Sequence, residues 1–367
     1  MAEAISQPRA PASGLASSIF RGIALAVGLV WLLLAATGVL LTYSFEINDS
    51  LVSTVETPKD FDGIERRMDA IEAAGGEAKV NWIWATAGLK DRFVINYTTA
   101  DGDSRMMRIA GDGTPLLDTA EGERTFLEWV REIHLSLAAG KTGEWILAIS
   151  GILLLVYLLR ELYRLWPRRG ERWGEVLRPS RAGASSGDRL RAWYRALGLV
   201  GAVPAFIVAG AAVIIHFEHS IEDKIGAPLI YLPPVAPEGA GVGFAAFARA
   251  AEAAIPGSRF VGTPLPTADD ATYRAWVNEP GEYFREDGYG GSLVMVNGND
   301  ASVRGVWPLK QASPAYKFMA LPYPVHTGEI AGPVGRILVL LVGLWLTTMT
   351  ILGLILWNRG RRNEGVA

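Results

Sequence analysis

Two histidines stand at matching positions of a repeated sequence, and their imidazoles could ligate a metal. His134 begins the segment HLSLAAGKTGEW, and His326 begins HTGEIAGPVGR. The same shift of 192 residues (326 − 134) superimposes three glycines that follow each histidine. These glycine pairs are Gly140 with Gly332, Gly143 with Gly335, and Gly151 with Gly343. Neutral imidazole nitrogen is a good axial ligand for haem iron, and two symmetry-related imidazoles could hold one metal centre from both sides.

The amino-acid composition excludes several kinds of cofactor and reaction for this protein. The 367 residues include no cysteine, which excludes disulfides, iron–sulfur clusters and thiolate chemistry. A formal net charge of −3 gives no sign of nucleic-acid binding. The chain has no phosphate loop and no HExxH zinc motif, and no GxGxxG follows a strand and opens a helix. Reducing equivalents for any redox reaction must therefore come from a partner protein or from quinol.

The hydrophobic stretches predict a membrane protein with water-facing domains. Half of the residues are hydrophobic and the mean hydropathy is +0.21. Crossing a bilayer takes about 20 apolar residues, and four stretches meet that requirement. They are residues 22–42, 143–162, 196–217 and 337–357. Arginines concentrate between the second and third stretch and after the fourth, so both termini are predicted to be cytoplasmic.

The two long segments outside the membrane repeat one pattern. Each has a helical stretch, at 61–74 or 244–254, followed by strand-like runs separated by Gly, Asp and Asn. The runs are 79–85, 92–98 and 105–110 in the first segment, and 259–264, 272–278, 292–298 and 302–308 in the second. The chain therefore reads as span, small α+β domain, span, twice over. Two similar halves would pack about a pseudo-two-fold axis along the membrane normal.

These features resemble the PepSY-associated transmembrane proteins, which include iron-regulated inner-membrane proteins and periplasm-facing ferric-siderophore reductases. The resemblance covers residues 18–362, and its most specific parts are VHTGEIAGPVGRIL, LILWNRGRR and the repeated α+β domains. It implies a membrane α-helical plus α+β fold, with four transmembrane helices in two repeated halves. Each half would carry a small periplasmic PepSY-like domain, and the protein would lie in a bacterial inner membrane with cytoplasmic termini.

Nine segments are predicted on this basis. They are a disordered cytoplasmic N-terminus 1–19, transmembrane helix one 20–43, PepSY-like domain one 44–133, a His-bearing segment with transmembrane helix two 134–163, an Arg-rich cytoplasmic loop 164–193, transmembrane helix three 194–217, PepSY-like domain two 218–325, a His-bearing segment with transmembrane helix four 326–358, and a cytoplasmic tail 359–367.

The resemblance also implies a cofactor. The family's reductases are four-helix haem proteins with histidine ligands near each membrane face, and His134 and His326 match the outer-face histidines. The His-Arg pairs that usually begin spans one and three are Phe20-Arg21 and Tyr194-Arg195 here. One outer-face haem b is therefore implied. Tyrosine ligates ferric haem in some proteins, so Tyr194 is kept as a candidate inner ligand.

This haem would make the protein an electron-transfer protein that reduces a ferric siderophore or similar ferric chelate in iron uptake. The expected partners are the ferric chelate, membrane lipid, and quinol or another redox protein as electron donor. A second hypothesis is a non-catalytic PepSY membrane module that binds a partner, peptide or metal chelate. A third is a haem or metal carrier without redox turnover. The alternative for each histidine is a purely structural role, in which it is a polar residue at the membrane interface and the nearby glycines only allow helices to pack closely.

Several other residues carry open alternatives. His216 and His219 would share a helix face if the third span continues that far. They could replace a ligand, hold a second haem or a metal ion with Glu218 and Glu222, or only cap the span. Arg131, Lys141 and Arg336 could pair with haem propionates or anchor helices at headgroups. Trp82 and Trp84 could stack on a ligand, or pack against their domain's helix or the bilayer interface.

Overall fold

A computed structural model describes residues 14–74, 78–120, 122–178, 186–225, 232–282 and 291–364. Its α-helices are α1 Gly14–Leu41, α2 Ser44–Val52, α3 Phe61–Ala74, α4 Phe126–Ser136, α5 Gly140–Leu165, α6 Trp173–Val176, α7 Ser186–His216, α8 Glu218–Ile225, α9 Phe244–Ala254, α10 Pro314–Ala320, α11 Pro322–Thr327 and α12 Gly332–Glu364. Its strands are β1 Lys79–Ala85, β2 Phe93–Thr98, β3 Ser104–Ile109, β4 Pro115–Ala120, β5 Arg259–Pro264, β6 Thr272–Asn278, β7 Ser292–Asn297 and β8 Val303–Trp307. Two 3₁₀ turns, Leu309–Gln311 and Glu329–Ala331, flank α10 and α11.

The chain divides into two compact units. The first comprises the described residues of 1–39, 133–206 and 341–367, and the second comprises those of 40–132 and 207–340. Long helices make up the first unit, and the sheet with its covering helices lies in the second.

Three helical stretches are long and apolar enough to cross a membrane: Gly140–Leu165, Gly187–His216 and Glu329–Asn358. The first predicted span meets the same criterion only as a bent pair, in which Leu25–Leu41 and Ser44–Val52 meet at 48°. Length and composition thus give three spans, or four if the bent pair counts as one. Helix α1 begins at Gly14, inside the segment 1–19 that was predicted to be disordered.

The strands of both α+β segments form one sheet. Its order is β4-β3-β2-β1-β5-β6-β7-β8, and every neighbouring pair is antiparallel. The order is symmetrical about the central pair, in which Ile83 of β1 lies opposite Thr263 of β5. Each segment contributes four strands, so the two segments are joined by a strand pair that the sequence did not predict.

One hydrophobic core serves both segments. Helices α3 and α9 cover the same face of the sheet, where Phe61 of α3 meets Phe244 of α9 at 6.0 Å between ring centroids. Phe260 of β5 lies 5.8 Å from Phe61 and 5.6 Å from Phe244, in edge-on geometry. Edge-to-face aromatic pairs of this kind stabilise a core beyond the area they bury. Because these rings come from both segments, the segments stabilise each other.

Ile83 tests the shared core because its side chain is fully buried at the central strand pair. Ile83→Val removes one methylene group, and we expect a loss of about 0.5–1.5 kcal/mol in the free energy of unfolding. Urea titration followed by tryptophan fluorescence would measure it. Val303→Ala, at an exposed position of β8, is the control. Equal shifts for the two variants would contradict the buried position of Ile83.

Candidate functional site

The imidazole of His134 is in hydrogen-bond contact with the first long helix. It lies in the last turn of α4, and its Nδ1 atom is 2.9 Å from the Oγ1 atom of Thr37 on α1. The Thr37 hydroxyl has a single hydrogen and lies 2.8 Å from the Leu33 carbonyl oxygen, to which it donates. When its hydrogen is on that oxygen, the hydroxyl accepts a hydrogen bond from the Nδ1–H group of His134, which is the tautomer that we infer. The neutral ring of this tautomer carries its lone pair on Nε2.

The His134 ring packs closely on the α1 backbone. A Cβ atom placed at Gly38 would lie 3.3 Å from the Cε1 atom of His134, tighter than an ordinary contact. Thr37 beside it is buried. The hydrogen bond and the close packing together fix the orientation of the ring.

His326 is held in the same tautomer by different means. It lies in α11, and its Nδ1 atom is 3.0 Å from the carbonyl oxygen of Val208 on α7. A carbonyl oxygen only accepts, so Nδ1 carries the proton and Nε2 carries the lone pair of the neutral ring. Burial lowers the pKa of His326 below its usual value, and the hydrogen bond to Val208 opposes this more weakly. His326 is therefore neutral at pH 7, which is the form that ligates metals.

The two histidines thus have corresponding surroundings, each within its own unit. Each lies near the end of a short helix, and each places its Nδ1–H group on a long helix, α1 for His134 and α7 for His326. A second-sphere acceptor on Nδ1 is the usual arrangement for a histidine that ligates metal through Nε2.

The matched glycines have matched conformations. Gly140 begins α5 with φ +53°, and Gly332 begins α12 with φ +56°. Positive φ favours glycine, so both positions let the chain turn from the His-bearing helix into the long helix. A Cβ atom at Gly143 would collide with the carbonyl oxygen of residue 136, and one at Gly335 with that of residue 328. The turns themselves therefore require these glycines, a reason other than room for a flat macrocycle.

His216 and His219 do not lie on one continuous helix. Helix α7 ends at His216, and α8 begins at Glu218 after a break at Phe217. The His216 ring contacts the Phe217 ring edge-on, with centroids 4.8 Å apart. The His219 side chain is 84% exposed, and its Nδ1 lies 3.5 Å from the Glu222 carboxylate. Across the described residues, no group of three His, Asp or Glu side chains is arranged to hold a metal ion.

The basic residues near the histidines have other contacts. Arg336 binds both carboxylate oxygens of Glu46, with Nη2 2.9 Å from Oε2, and its guanidinium lies 4.3 Å from the centre of the Tyr43 ring. Its charge is therefore neutralised by Glu46, which disfavours the alternative in which Arg336 pairs with a haem propionate. Arg131 lies over the Phe45 ring at 5.8 Å. Lys141 is exposed and 3.2 Å from Glu144.

At the other end of the long helices, the hydroxyl of Tyr194 is hydrogen-bonded to that of another tyrosine. Its hydroxyl lies 3.0 Å from that of Tyr157 on α5. The Tyr157 ring in turn lies 5.4 Å from the Trp31 ring on α1. The side chain of Phe20 lies outside the described residues.

Trp82 and Trp84 face away from α3, because Ile83 between them enters the core. Trp84 lies opposite Gly262 of β5, and Gly262 lies opposite Trp276 of β6. The rings of Trp84 and Trp276 meet over this glycine, with centroids 5.3 Å apart. Of the alternatives kept for these two tryptophans, packing against their domain's helix is therefore wrong. Trp84 instead forms an aromatic cluster with Trp276 on the second face of the sheet.

Sequence reasoning missed the two groups that contact the Nδ1 atoms of the histidines. Thr37 is a polar residue in an apolar span, which is a usable signal. Val208 contacts His326 through its backbone carbonyl, and such a role cannot be recognised from the type of side chain.

These observations define a membrane protein with several apolar helices and an antiparallel sheet covered by two helices. The chain belongs to the family of the PepSY-associated TM region, whose model matches residues 21–359. The family prediction from the sequence is thereby confirmed. No curated protein matches the chain.

Proposed function

We propose that His134 and His326 supply the two axial ligands of one haem b in a protein that reduces a ferric siderophore or similar ferric chelate. The observation that carries the proposal is the matching Nδ1 contact of the two rings, to the Thr37 hydroxyl for His134 and to the Val208 carbonyl oxygen for His326. With Nδ1 as the donor in both contacts, the lone pair of each neutral ring is on Nε2. A haem with two histidine ligands supplies a one-electron carrier suited to electron transfer. Neither histidine acts as an acid or base in this scheme.

The residues present fit such a group. Two neutral imidazoles are a complete axial ligand set, and the donors need no third protein ligand. Thr37 is buried and Gly38 packs on the His134 ring, so the first ligand is oriented before any group binds. The low pKa of His326 keeps the second ligand neutral. Preformed orientation lowers the entropic cost of binding.

The internal repeat supports the pairing of the two ligands. The sheet order is symmetrical about β1 and β5, and the shift of 192 residues relates both the positive-φ glycines and the close contacts of Gly143 and Gly335. We infer that the two halves are related by a pseudo-two-fold axis, which would make His134 and His326 equivalent.

The proposed setting is a bacterial inner membrane, with both termini in the cytoplasm and the sheet unit in the periplasm. The arginines between α5 and α7 and at the C-terminal end of α12 support this orientation. Phe20 and Tyr194 stand where a second pair of histidines would be needed, and the Tyr194 hydroxyl lies against Tyr157. The proposed electron donor is therefore quinol, or another redox protein, acting on the same side as the histidines.

The test is a spectrum of purified protein from haem-replete cells. We expect one haem per chain, a Soret band, and the sharp bands of a low-spin haem b after reduction with dithionite. Adding a ferric siderophore to the reduced protein under anaerobic conditions should restore the oxidised spectrum. Colourless protein would overturn the haem assignment. A reduced spectrum that persists with the chelate would overturn the substrate assignment alone.

A second candidate function is a non-catalytic module that binds a partner, peptide or metal chelate. The aromatic cluster of Trp84 and Trp276 favours it, because tryptophan rings supply large contact areas at binding surfaces. A colourless protein that nevertheless binds a ferric chelate would support this function.

Thr37 gives a more local test of the haem ligands. Thr37→Val keeps the shape of the side chain but removes the acceptor for the Nδ1–H group of His134. Loss of such a supporting bond is expected to weaken haem binding by about 10–100-fold. Titration of the haem-free protein with haemin would measure this. Thr37→Ser keeps the hydroxyl and should retain most of the affinity. Equal loss in both variants would contradict an orienting role for the hydrogen bond.

A further inference from the structure

Helices α2 and α4 are both bound to the sheet through one arginine. The Nη1 atom of Arg108 on β3 lies 3.3 Å from Oδ1 of Asp49 on α2, and its Nη2 atom lies 3.1 Å from Oε1 of Glu128 on α4. Asp49 is only 3% exposed and also accepts a hydrogen bond from the backbone nitrogen of Leu89. The polar face of each helix is therefore turned toward the sheet.

The opposite faces of the same two helices are apolar and exposed. On α2, Ile47 and Leu51 are 44% and 78% exposed, and on α4, Phe126 and Trp129 are 72% and 51% exposed. Residues three or four apart share a helix face, so each pair forms a stripe. Each stripe lies one or two residues from the bound carboxylate, which at about 100° per residue turns it away from the sheet.

The connections of these helices indicate what covers the stripes. Two residues, Thr42 and Tyr43, separate α2 from α1, and three residues, 137–139, separate α4 from the candidate span α5. Both helices therefore lie where the chain leaves the membrane. The 48° bend between α1 and α2 turns α2 off the line of the span.

The side chains along α4 also suit a lipid surface. Tryptophan is enriched at the membrane–water interface, where its ring is apolar and its N–H group reaches water. Arg124 lies over the Trp129 ring at 5.2 Å and is 3.2 Å from the Glu132 carboxylate. Its cationic head can remain among the headgroups while the ring lies deeper.

We propose that α2 and α4 are interfacial helices, with Ile47, Leu51, Phe126 and Trp129 in contact with lipid at the boundary of headgroups and acyl chains. Interfacial helices bury their apolar face about 5–10 Å into this boundary. The sheet would then be held against the bilayer surface by Arg108, through both helices. This arrangement goes beyond the proposed redox function and does not depend on it.

The absence of cysteine makes the test direct, because a single introduced thiol is the only labelling site. Leu51→Cys and Phe126→Cys would each be labelled with a nitroxide in full-length protein, reconstituted in nanodiscs of phosphatidylethanolamine and phosphatidylglycerol. Collision rates with oxygen and with a water-soluble nickel chelate then report depth. Leu153→Cys, at an exposed position within α5, is the lipid control. Asp101→Cys, in the exposed turn between β2 and β3, is the water control.

We expect both labels to show more oxygen and less nickel contact than Asp101→Cys, at a depth shallower than Leu153→Cys. Nickel contact as high as that of Asp101→Cys would mean that water covers the stripes, and it would overturn the proposal. Low contact with both reagents would mean that protein covers them, from a partner or a second copy, and would overturn it too. A depth equal to that of Leu153→Cys would make the helices part of the spans, and it would overturn the proposal as well. Because all four side chains are exposed, Ile47→Cys and Trp129→Cys provide a second pair of sites.

Discussion

Replacing His134 or His326 by alanine, one at a time, is expected to abolish the low-spin haem spectrum. Each substitution removes the Nε2 atom on which the proposed axial bond depends. The loss in haem affinity should be at least about 100-fold, because removing a mere supporting hydrogen bond already costs about 10–100-fold. Absorption and electron paramagnetic resonance spectra, together with the haem-to-protein ratio, would measure it.

His219→Ala is the matched control for these two variants. The His219 side chain is 84% exposed and lies beside Glu222 on its own helix. Its removal should leave the spectrum and the haem content unchanged. If His219→Ala lost the haem while His134→Ala and His326→Ala kept an unaltered low-spin spectrum, the ligand assignment would be wrong.

Replacing Arg108 by methionine is expected to destabilise the sheet unit by about 1–3 kcal/mol, because the buried carboxylate of Asp49 loses its cation. Methionine keeps most of the chain length but not the charge. Asp49 would remain buried without its cation, and α4 would lose the contact between Arg108 and Glu128. Urea titration in detergent micelles, followed by tryptophan fluorescence, would give the change in unfolding free energy.

Arg249→Met is the control for this prediction. Arg249 pairs with Asp62 at the surface, where both side chains are about half exposed. Surface ion pairs contribute about 0–1 kcal/mol, so its loss should be small. An equal effect of the two substitutions would mean that Arg108 is no more than a surface residue.

The sequence predicted most of the regular elements of the sheet unit. Helices α3 and α9 have the bounds that were expected, and β1, β5 and β6 coincide with the predicted runs. Alternation and turn residues carry this information locally. Strand β4 was missed because it begins at Pro115 and lies at the exposed edge of the sheet, where side chains need not be apolar.

The alternation of apolar and polar residues could not predict which distant strands pair with each other. Trp82 and Gly262 belong to strands that local alternation cannot connect, and the pairing of β1 with β5 emerges only when both segments are folded. The candidate ligands could be picked out from the sequence, because His134 and His326 occupy matching positions of the repeat. The partners Thr37 and Val208 were not predicted, since their roles depend on how helices pack, although Thr37 is a visible polar residue in an apolar span.

The central strand pair has a consequence for how this protein is made. The ribosome completes β1 long before β5 exists, so the nascent first half carries a sheet edge whose N–H and C=O groups await a partner. Such an edge is a template for aggregation. Phe61 likewise lacks its packing partners Phe244 and Phe260 until the second half has been synthesised. We therefore expect that the first half is shielded during synthesis, and that a gene split between α5 and α7 yields two products that fold only together.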